Sequence, residues 1–111
     1  MRVAIIGSRS LTIPDFTPYL PERVTEIVSG GAKGVDLAAR TYAFSHGIKL
    51  TEFLPQYQRY GRAAPFKRNI QIVEYAALVI AFWDGKSQGT KFVIDYCKKM
   101  EKECRVYLQH A

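Results

Sequence analysis

The chain has 111 residues, a length that fits one domain rather than two. Hydrophobic residues make up 48% of it and aromatic residues 13%, which is typical of a packed globular protein and excludes intrinsic disorder. Sixteen Lys and Arg against ten Asp and Glu leave a net charge of +6, which favours an anionic partner. No apolar run approaches the roughly 20 residues that span a bilayer. We therefore expect one cytoplasmic domain over residues 1–111, with no membrane partner.

Five short apolar runs predict β-strands. The first covers residues 3–6, is rich in branched side chains and ends at Gly7, as is typical of a strand buried on both faces. The others cover residues 26–29, 49–53, 78–82 and 105–108.

Between these runs, apolar residues recur at helical spacing. One helix is predicted from Val35 to His46, with Gly47 where a left-handed cap would end it. A second is predicted to start with Pro65 at its first position and to bury Phe66, Ile70, Val73 and Ala77. A third follows Gly89, with Phe92, Val93, Tyr96, Cys97 and Met100 as its apolar stripe. Residues 10–21 contain three prolines, so any helix there is short or distorted.

This alternation of strands and helices predicts a parallel sheet with right-handed crossovers. We expect an α/β fold, a single Rossmann-like three-layer sandwich around a five-stranded, mainly parallel sheet. Such sheets bind ligands beyond the carboxyl ends of their strands, where the strand order reverses. Candidate site residues therefore lie in the loops that follow the strands.

Three of these loops contain residues that suit an anion. Glycines let the backbone approach a phosphate, and a helix N-terminus offers free N–H groups. Together the loops predict one phosphate pocket, although each alone is also explained as a turn that serves packing. No P-loop is present, because Ile80 occupies the position of its first glycine, and Gly31 and Gly34 do not complete a G-x-G-x-x-G motif. The predicted ligand-binding residues of these loops are Gly7, Ser8, Arg9, Gly30, Gly31, Lys33, Gly34, Gly89 and Thr90.

Lys67 and Arg68 are predicted in the first turn of the second helix, where each cation opposes the helix dipole by roughly 0.3–1 kcal/mol. A bound phosphate would offset that cost, and Arg68 is preferred because its planar guanidinium can grip two oxygens. The alternative is a surface pair with harmless geometry.

Asp36 is predicted in the first turn of the first helix. A carboxylate there suits the helix dipole, so capping explains it; alternatively it hydrogen-bonds a ribose hydroxyl. Tyr57, Tyr60 and Trp83 flank the basic stretch and are candidates to stack on a base, with core packing as the alternative for Trp83.

The cysteines and histidines lack the spacing of a metal site. Cys97 and Cys104 have no paired Cys or His partners and are predicted to be small buried residues. His46 and His110 stand alone in the sequence. We therefore expect no metal, and we assign no cofactor other than a nucleotide-like ligand.

Four motifs follow one another along the chain: Gly-Ser-Arg at 7–9, Ser-Gly-Gly-Ala-Lys-Gly-Val-Asp at 29–36, Tyr-Gly-Arg-Ala-Ala-Pro-Phe-Lys-Arg-Asn at 60–69, and Gly-Thr at 89–90. In this order they resemble the SLOG superfamily, and most closely its small stand-alone YspA-like branch. SLOG proteins are Rossmann-like nucleotide-binding domains that include the Lonely Guy phosphoribohydrolases and DprA. The resemblance implies a homodimer and a nucleotide or ADP-ribose-like ligand, held by Gly30, Gly31, Gly34, Gly89 and Thr90 and surrounded by Ser8, Arg9, Asp36, Arg68 and Asn69.

The enzymatic branch of that superfamily carries a catalytic glutamate three residues after its motif threonine. Val93 stands at that position here, and a valine cannot exchange a proton. The resemblance therefore does not by itself imply N-glycosidic cleavage. If the chain is an enzyme, the catalytic candidates are Arg68 with Asp36 or Asp84.

Three hypotheses follow. The first is a sensor or carrier that binds a nucleotide-derived phosphate compound. The second is a hydrolase that cleaves the N-glycosidic bond of a nucleoside monophosphate. The third is a module that binds single-stranded nucleic acid through its basic, aromatic stretch at residues 57–68.

Overall fold

All five predicted strands pair into one sheet in a computed structural model that describes residues 1–110. They are β1 (Arg2–Gly7), β2 (Glu26–Ser29), β3 (Lys49–Glu52), β4 (Leu78–Trp83) and β5 (Cys104–Leu108). Every neighbouring pair is parallel, and the order across the sheet is β3-β2-β1-β4-β5. The strand order therefore reverses between β1 and β4, and the expected ligand position lies there.

Helices cover both faces of this sheet. They are α1 (Val35–Ser45), α2 (Tyr57–Tyr60), α3 (Ala64–Tyr75) and α4 (Gln88–Lys99). Because side chains alternate along a strand, Val3 and Ile5 share a buried cluster with residues of α1, whereas Ala4 and Ile6 share one with residues of α3 and α4. The predicted three-layer α/β sandwich is thus confirmed. None of the helices in residues 1–110 has both the length and the apolar character to cross a membrane.

The proline-containing segment before β2 forms only a single 3-10 turn, Thr17–Tyr19, in agreement with the prediction of a short or distorted helix. It nevertheless contributes to the core. Phe16 is buried and contacts Tyr42 and Phe82 edge-on, with ring centroids 5.7 and 5.5 Å apart. The segment therefore covers part of the same sheet face as α1.

The start and the buried face of α3 differ from the prediction. A 3-10 turn, Gly61–Ala63, runs directly into the helix, so α3 begins at Ala64 and Pro65 is its second residue. Lys67 and Arg68 are then the fourth and fifth residues, so Lys67 ends the predicted first turn and Arg68 lies one residue beyond it. The buried face is also rotated. Val73 is buried as predicted, but Asn69, Ile72 and Ala76 are buried in place of Phe66, Ile70 and Ala77.

Two smaller features were not predicted. The short helix α2 stands alone after β3, in a segment without a clear apolar stripe. Cys104, predicted to be buried, is half-buried because it begins the edge strand β5, which has a neighbour on one side only. Cys97 is buried, as predicted.

At the amino edge of the sheet, a buried glutamate is fully paired. Oε2 of Glu26 accepts hydrogen bonds from Thr51 Oγ1 and from the Tyr75 hydroxyl, both at 2.6 Å. Lys49 Nζ lies 3.6 Å from the other carboxylate oxygen. The two hydroxyl donors, together with the lysine charge, lower the pKa of Glu26 below its ordinary value.

Candidate functional site

A cavity of about 490 Å³ opens at the carboxyl edge of the sheet, beside the ends of β1 and β4. Its volume lies within the range of roughly 300–1,000 Å³ that is usual for small-molecule sites. Three strand-to-helix loops and the N-terminal half of α3 converge on it. Of the predicted site residues it brings together Gly7, Arg9, Asp36, Arg68, Asn69, Asp84, Gly89 and Thr90.

Arg68 is held in place by backbone and side-chain acceptors. Its Nη1 donates to the Gly30 carbonyl at 2.6 Å, and its Nε donates to Asn69 Oδ1 at 2.8 Å. Nη2 has no hydrogen-bond partner among the described residues. Burial lowers the pKa of Arg68, Asp36 opposes that shift, and Arg9 adds to it. Because an arginine pKa lies far above neutral, the group stays charged.

Gly30 makes this arrangement sterically feasible. A Cβ at position 30 would lie 2.4 Å from Arg68 Nη1 and 2.9 Å from its Cζ. The guanidinium therefore occupies the volume that any other side chain would fill. Gly30 lies outside the cavity lining and supports the arginine that lines it, and its role as a phosphate contact stays a prediction.

Arg9 supplies a second cation from the end of β1. Its side chain is exposed, lines the cavity and forms no ion pair with the described residues. Its backbone is fixed from the neighbouring loop, because Gly34 packs so closely that a Cβ there would lie 2.5 Å from the Arg9 carbonyl oxygen. Gly34 also has φ +73°, a conformation that favours glycine.

The loop from β4 to α4 presents a helix N-terminus to the cavity. Ser87 caps α4 by accepting a hydrogen bond from the Thr90 N–H at 3.5 Å. Ser87, Gly89 and Thr90 all line the cavity, and the first turn of α4 contains no acidic residue. This end of α4 therefore offers N–H groups and a partial positive charge to an anion.

Asp84 organises that loop. Its Oδ1 accepts hydrogen bonds from the Lys86 and Ser87 N–H groups, both at 2.8 Å, and its Oδ2 accepts one from Ser10 Oγ at 3.0 Å. These donors, the backbone groups of Ser87 and Lys86 first, lower the pKa of Asp84 to about 2. A carboxylate with this pKa is a weak base and holds no proton near neutral pH, so its contacts give it a positioning role.

Asp36 is the other carboxyl group of the cavity and has the opposite environment. Its Oδ2 accepts a hydrogen bond from the Ala32 N–H at 3.2 Å, while its buried Oδ1 has no partner in residues 1–110. Burial raises the pKa of Asp36, and the Ala32 N–H and the Arg68 charge oppose that rise. Asp36 therefore fixes the loop after β2 and is the one cavity carboxyl group, among the described residues, whose pKa is raised.

The remaining wall of the cavity is apolar, a feature that the loop motifs did not predict. Phe66 is 42% exposed and forms part of this wall, although its sequence position predicted burial. Val93, at the position of the glutamate in the enzymatic SLOG branch, is buried and also lines the cavity. The full apolar wall is Ile6, Pro65, Phe66, Ile72 and Val93.

Several predicted residues do not line the cavity. Ser8 is buried, and its Oγ accepts a hydrogen bond from the Asp84 N–H at 3.2 Å. It therefore joins the loop after β1 to the loop after β4 without lining the cavity. Lys67 lies near the Tyr60 ring, with Nζ 5.8 Å from the centroid. Trp83 donates from Nε1 to the Ser87 carbonyl at 3.1 Å and so supports the α4 loop. The others outside the lining are Gly30, Gly31, Lys33, Gly34, Tyr57 and Tyr60.

Comparison with protein-family models, curated proteins and solved structures finds no match for the chain. Within the part of the chain that the structure describes, no three His, Cys, Asp or Glu side chains come close enough together to hold a metal ion. The SLOG resemblance, the homodimer and the nucleic-acid partner stay predictions.

Proposed function

We propose that the chain binds a nucleotide or nucleotide-derived phosphate ligand, such as a nucleoside monophosphate or an ADP-ribose-like molecule, as a SLOG-type sensor or carrier. The observation that carries the proposal is the pairing of Arg9 and Arg68 in one cavity, where neither forms an ion pair with a described residue. Like charges that share one cavity repel each other. A bound anion would remove that repulsion.

The acidic residues of the cavity leave this positive character in place. Asp84 directs its carboxylate to the N–H groups of its own loop, and Asp36 likewise accepts the Ala32 N–H of its own loop. The N-terminus of α4 adds a further partial positive charge on the same side. A phosphate ester combines the charge and the several acceptor oxygens that such a group of donors would bind.

The test is calorimetric titration with adenosine monophosphate and with ADP-ribose. Replacing Arg9 or Arg68 by Ala is expected to weaken binding by about tenfold or more, because each removes a charge-assisted hydrogen bond. Arg9→Ala is the cleaner variant, since the Arg9 side chain makes no hydrogen bond or ion pair with the described residues.

Lys67→Ala is the matched control, because Lys67 carries the same charge one residue before Arg68 but lies outside the cavity. It is expected to change affinity by less than about twofold. Equal affinity for all four proteins, or the absence of binding to either ligand, would contradict the proposal.

Asp36 favours a second candidate, hydrolysis of the N-glycosidic bond in a nucleoside monophosphate. It lines the cavity, its Oδ1 has no hydrogen-bond partner in residues 1–110, and burial shifts its pKa upward, the direction that suits a general acid. Incubation with nucleoside monophosphates, followed by chromatography for free base, tests this reaction. Base release that is lost in Asp36→Asn would support it, and its absence from the wild-type incubation would exclude it.

A third candidate, single-stranded nucleic-acid binding, rests on the exposed cations Arg59, Arg62 and Lys67 outside the cavity. Binding of an oligonucleotide through these groups would weaken steeply with salt, because phosphate contacts release counterions. An Arg59→Ala, Arg62→Ala double variant would lose that binding but keep affinity for adenosine monophosphate.

A further inference from the structure

Phe66 is a large aromatic residue that the fold leaves partly uncovered at the cavity wall. It is 42% exposed, whereas the core-facing residues of the same helix, such as Ile72 and Val73, are buried. Leaving an aromatic ring partly in water forgoes hydrophobic stabilisation that scales with its exposed apolar area. A ligand surface that covered the ring would recover this stabilisation.

The ring is supported from the side of α4. Phe92 contacts it edge-on, with centroids 5.0 Å apart and an interplanar angle of 68°. Phe92 in turn lies parallel to Tyr96, at 6.1 Å and 5°. A side chain packed in this way keeps its orientation, so it loses little conformational entropy when a flat ligand stacks on it.

Phe66 and Arg68 bound the cavity from two different sides of α3. Each residue of an α-helix is rotated by about 100° about the axis, so side chains two residues apart point in directions that differ by about 200°. The contacts agree with this separation, since Phe66 reaches Phe92 on α4 whereas Arg68 reaches Gly30 after β2. A ligand between them meets an aromatic surface at one side and a cation at the other.

The aromatic residues that the sequence offered for stacking are placed elsewhere. Trp83 is engaged with the Ser87 carbonyl, and neither Tyr57 nor Tyr60 lines the cavity. Among the described residues, Phe66 is the aromatic side chain of the cavity lining. An aromatic group of the ligand therefore has this ring as its stacking partner.

We propose that Phe66 stacks on the base of a nucleotide whose phosphate lies against Arg9, Arg68 and the N-terminus of α4. The inference rests on the proposed function and adds to it that the ligand is recognised by its base, through a π-surface that tolerates different bases. Stacking on an aromatic side chain is sequence-tolerant because every base has a π-face.

The experiment compares two probes that share their phosphate and their sugar, adenosine monophosphate and ribose 5-phosphate, by calorimetric titration. Wild-type protein is expected to bind adenosine monophosphate about tenfold more tightly, in keeping with the usual contribution of one stacked base. Phe66→Ala and Phe66→Leu are expected to reduce that preference to less than about twofold, whereas Phe66→Trp keeps it. Affinity for ribose 5-phosphate should stay within about twofold in every variant.

Phe44→Leu provides the matched control, since Phe44 is 73% exposed and lies on α1 away from the cavity. It should leave the preference for adenosine monophosphate unchanged. Circular dichroism checks that each variant is folded, and the conservative Phe66→Leu and Phe66→Trp pair keeps the test decisive if Phe66→Ala unfolds.

Each outcome separates this inference from the proposal it rests on. If wild-type protein binds both probes equally, or if Phe66→Leu keeps the preference for adenosine monophosphate, the stacking role is wrong while the phosphate site stands. If neither probe binds, the proposed function fails first.

Discussion

At the amino edge of the sheet, both oxygens of the Glu26 carboxylate have partners inside the protein, whereas at the carboxyl edge Arg9 has no ion-pair partner in residues 1–110. Both edges belong to the same parallel sheet and are built by the same strands. The amino edge uses its charge to join β2, β3 and α3. The carboxyl edge leaves charge available to a ligand.

The difference separates charged groups that are paired within the fold from charged groups that form no ion pair in residues 1–110. A buried acceptor with two short hydrogen bonds contributes to the free energy of unfolding. Two guanidinium groups that share a cavity detract from it, and the backbone must hold their loops in place. We therefore expect backbone geometry to determine the shape of the carboxyl edge and side-chain pairing to determine that of the amino edge.

The largest expected effect is that of Gly34→Ala at the carboxyl edge. The new Cβ would meet the Arg9 backbone at 2.5 Å, and φ +73° is strained for an L-residue, so nothing flexible can yield. We expect the free energy of unfolding, measured by urea denaturation, to fall by about 3 kcal/mol.

Gly47→Ala is the control, because Gly47 has φ +63° but no atom within 4 Å of the new Cβ. We expect the free energy of unfolding of Gly47→Ala to fall by about 1 kcal/mol, from backbone strain alone. Equal losses for the two variants would mean that the close approach to Arg9 does not shape the edge.

The next effect concerns the amino edge, where Glu26→Ala removes the acceptor of Thr51 and Tyr75. Two part-buried hydroxyl groups lose their partner, so we expect the free energy of unfolding, measured by urea denaturation, to fall by about 2 kcal/mol. Glu103→Ala is the matched control, since its ion pair with Arg105 is exposed and should contribute less than about 0.5 kcal/mol. If Glu26→Ala were as mild as this control, the paired carboxylate would have no stabilising role and the contrast between the edges would be lost.

How much of this contrast the sequence predicts depends on the range of the interactions. Short apolar runs and glycines are local signals, and they predicted five strands and the edge at which the loops meet. The partners of Glu26 lie 25 and 49 residues away in the chain, and no local pattern marks them. The pairing of Glu26 at the amino edge could therefore not be predicted from the sequence.

The lining of the cavity is predicted only in part, because it depends on which face of α3 is buried. A shift of one residue rotates every side chain of a helix by 100°. The sequence predicted Phe66 in the core and both Lys67 and Arg68 at the phosphate, with Arg68 preferred. In the structure Phe66 and Arg68 line the cavity, whereas Lys67 lies near the Tyr60 ring. The glycines were recognised, but their neighbours, Arg68 for Gly30 and the Arg9 backbone for Gly34, were not.

The smallest expected effect is a difference in the sign of pH dependence between the two edges. The folded pKa of Glu26 lies below its ordinary value of 4.5, so its stabilisation is present above pH 4.5 and is lost as pH falls through the folded pKa. The folded pKa of Asp36 lies above 3.8, so its contribution is present below pH 3.8 and is lost as pH rises through the folded pKa.

Urea denaturation at pH 3.5 and pH 7 measures both effects. Glu26→Gln should reduce stability at pH 7 by about 1 kcal/mol and change it less in acid, because it removes a charge-assisted acceptor. Asp36→Asn keeps an oxygen for the Ala32 N–H but removes the buried charge, so it should change stability in the opposite direction at pH 7. If the two variants changed the free energy of unfolding at pH 7 in the same direction, the protein would stabilise Asp36 as an anion. The carboxylates at the two edges would then not differ in this respect.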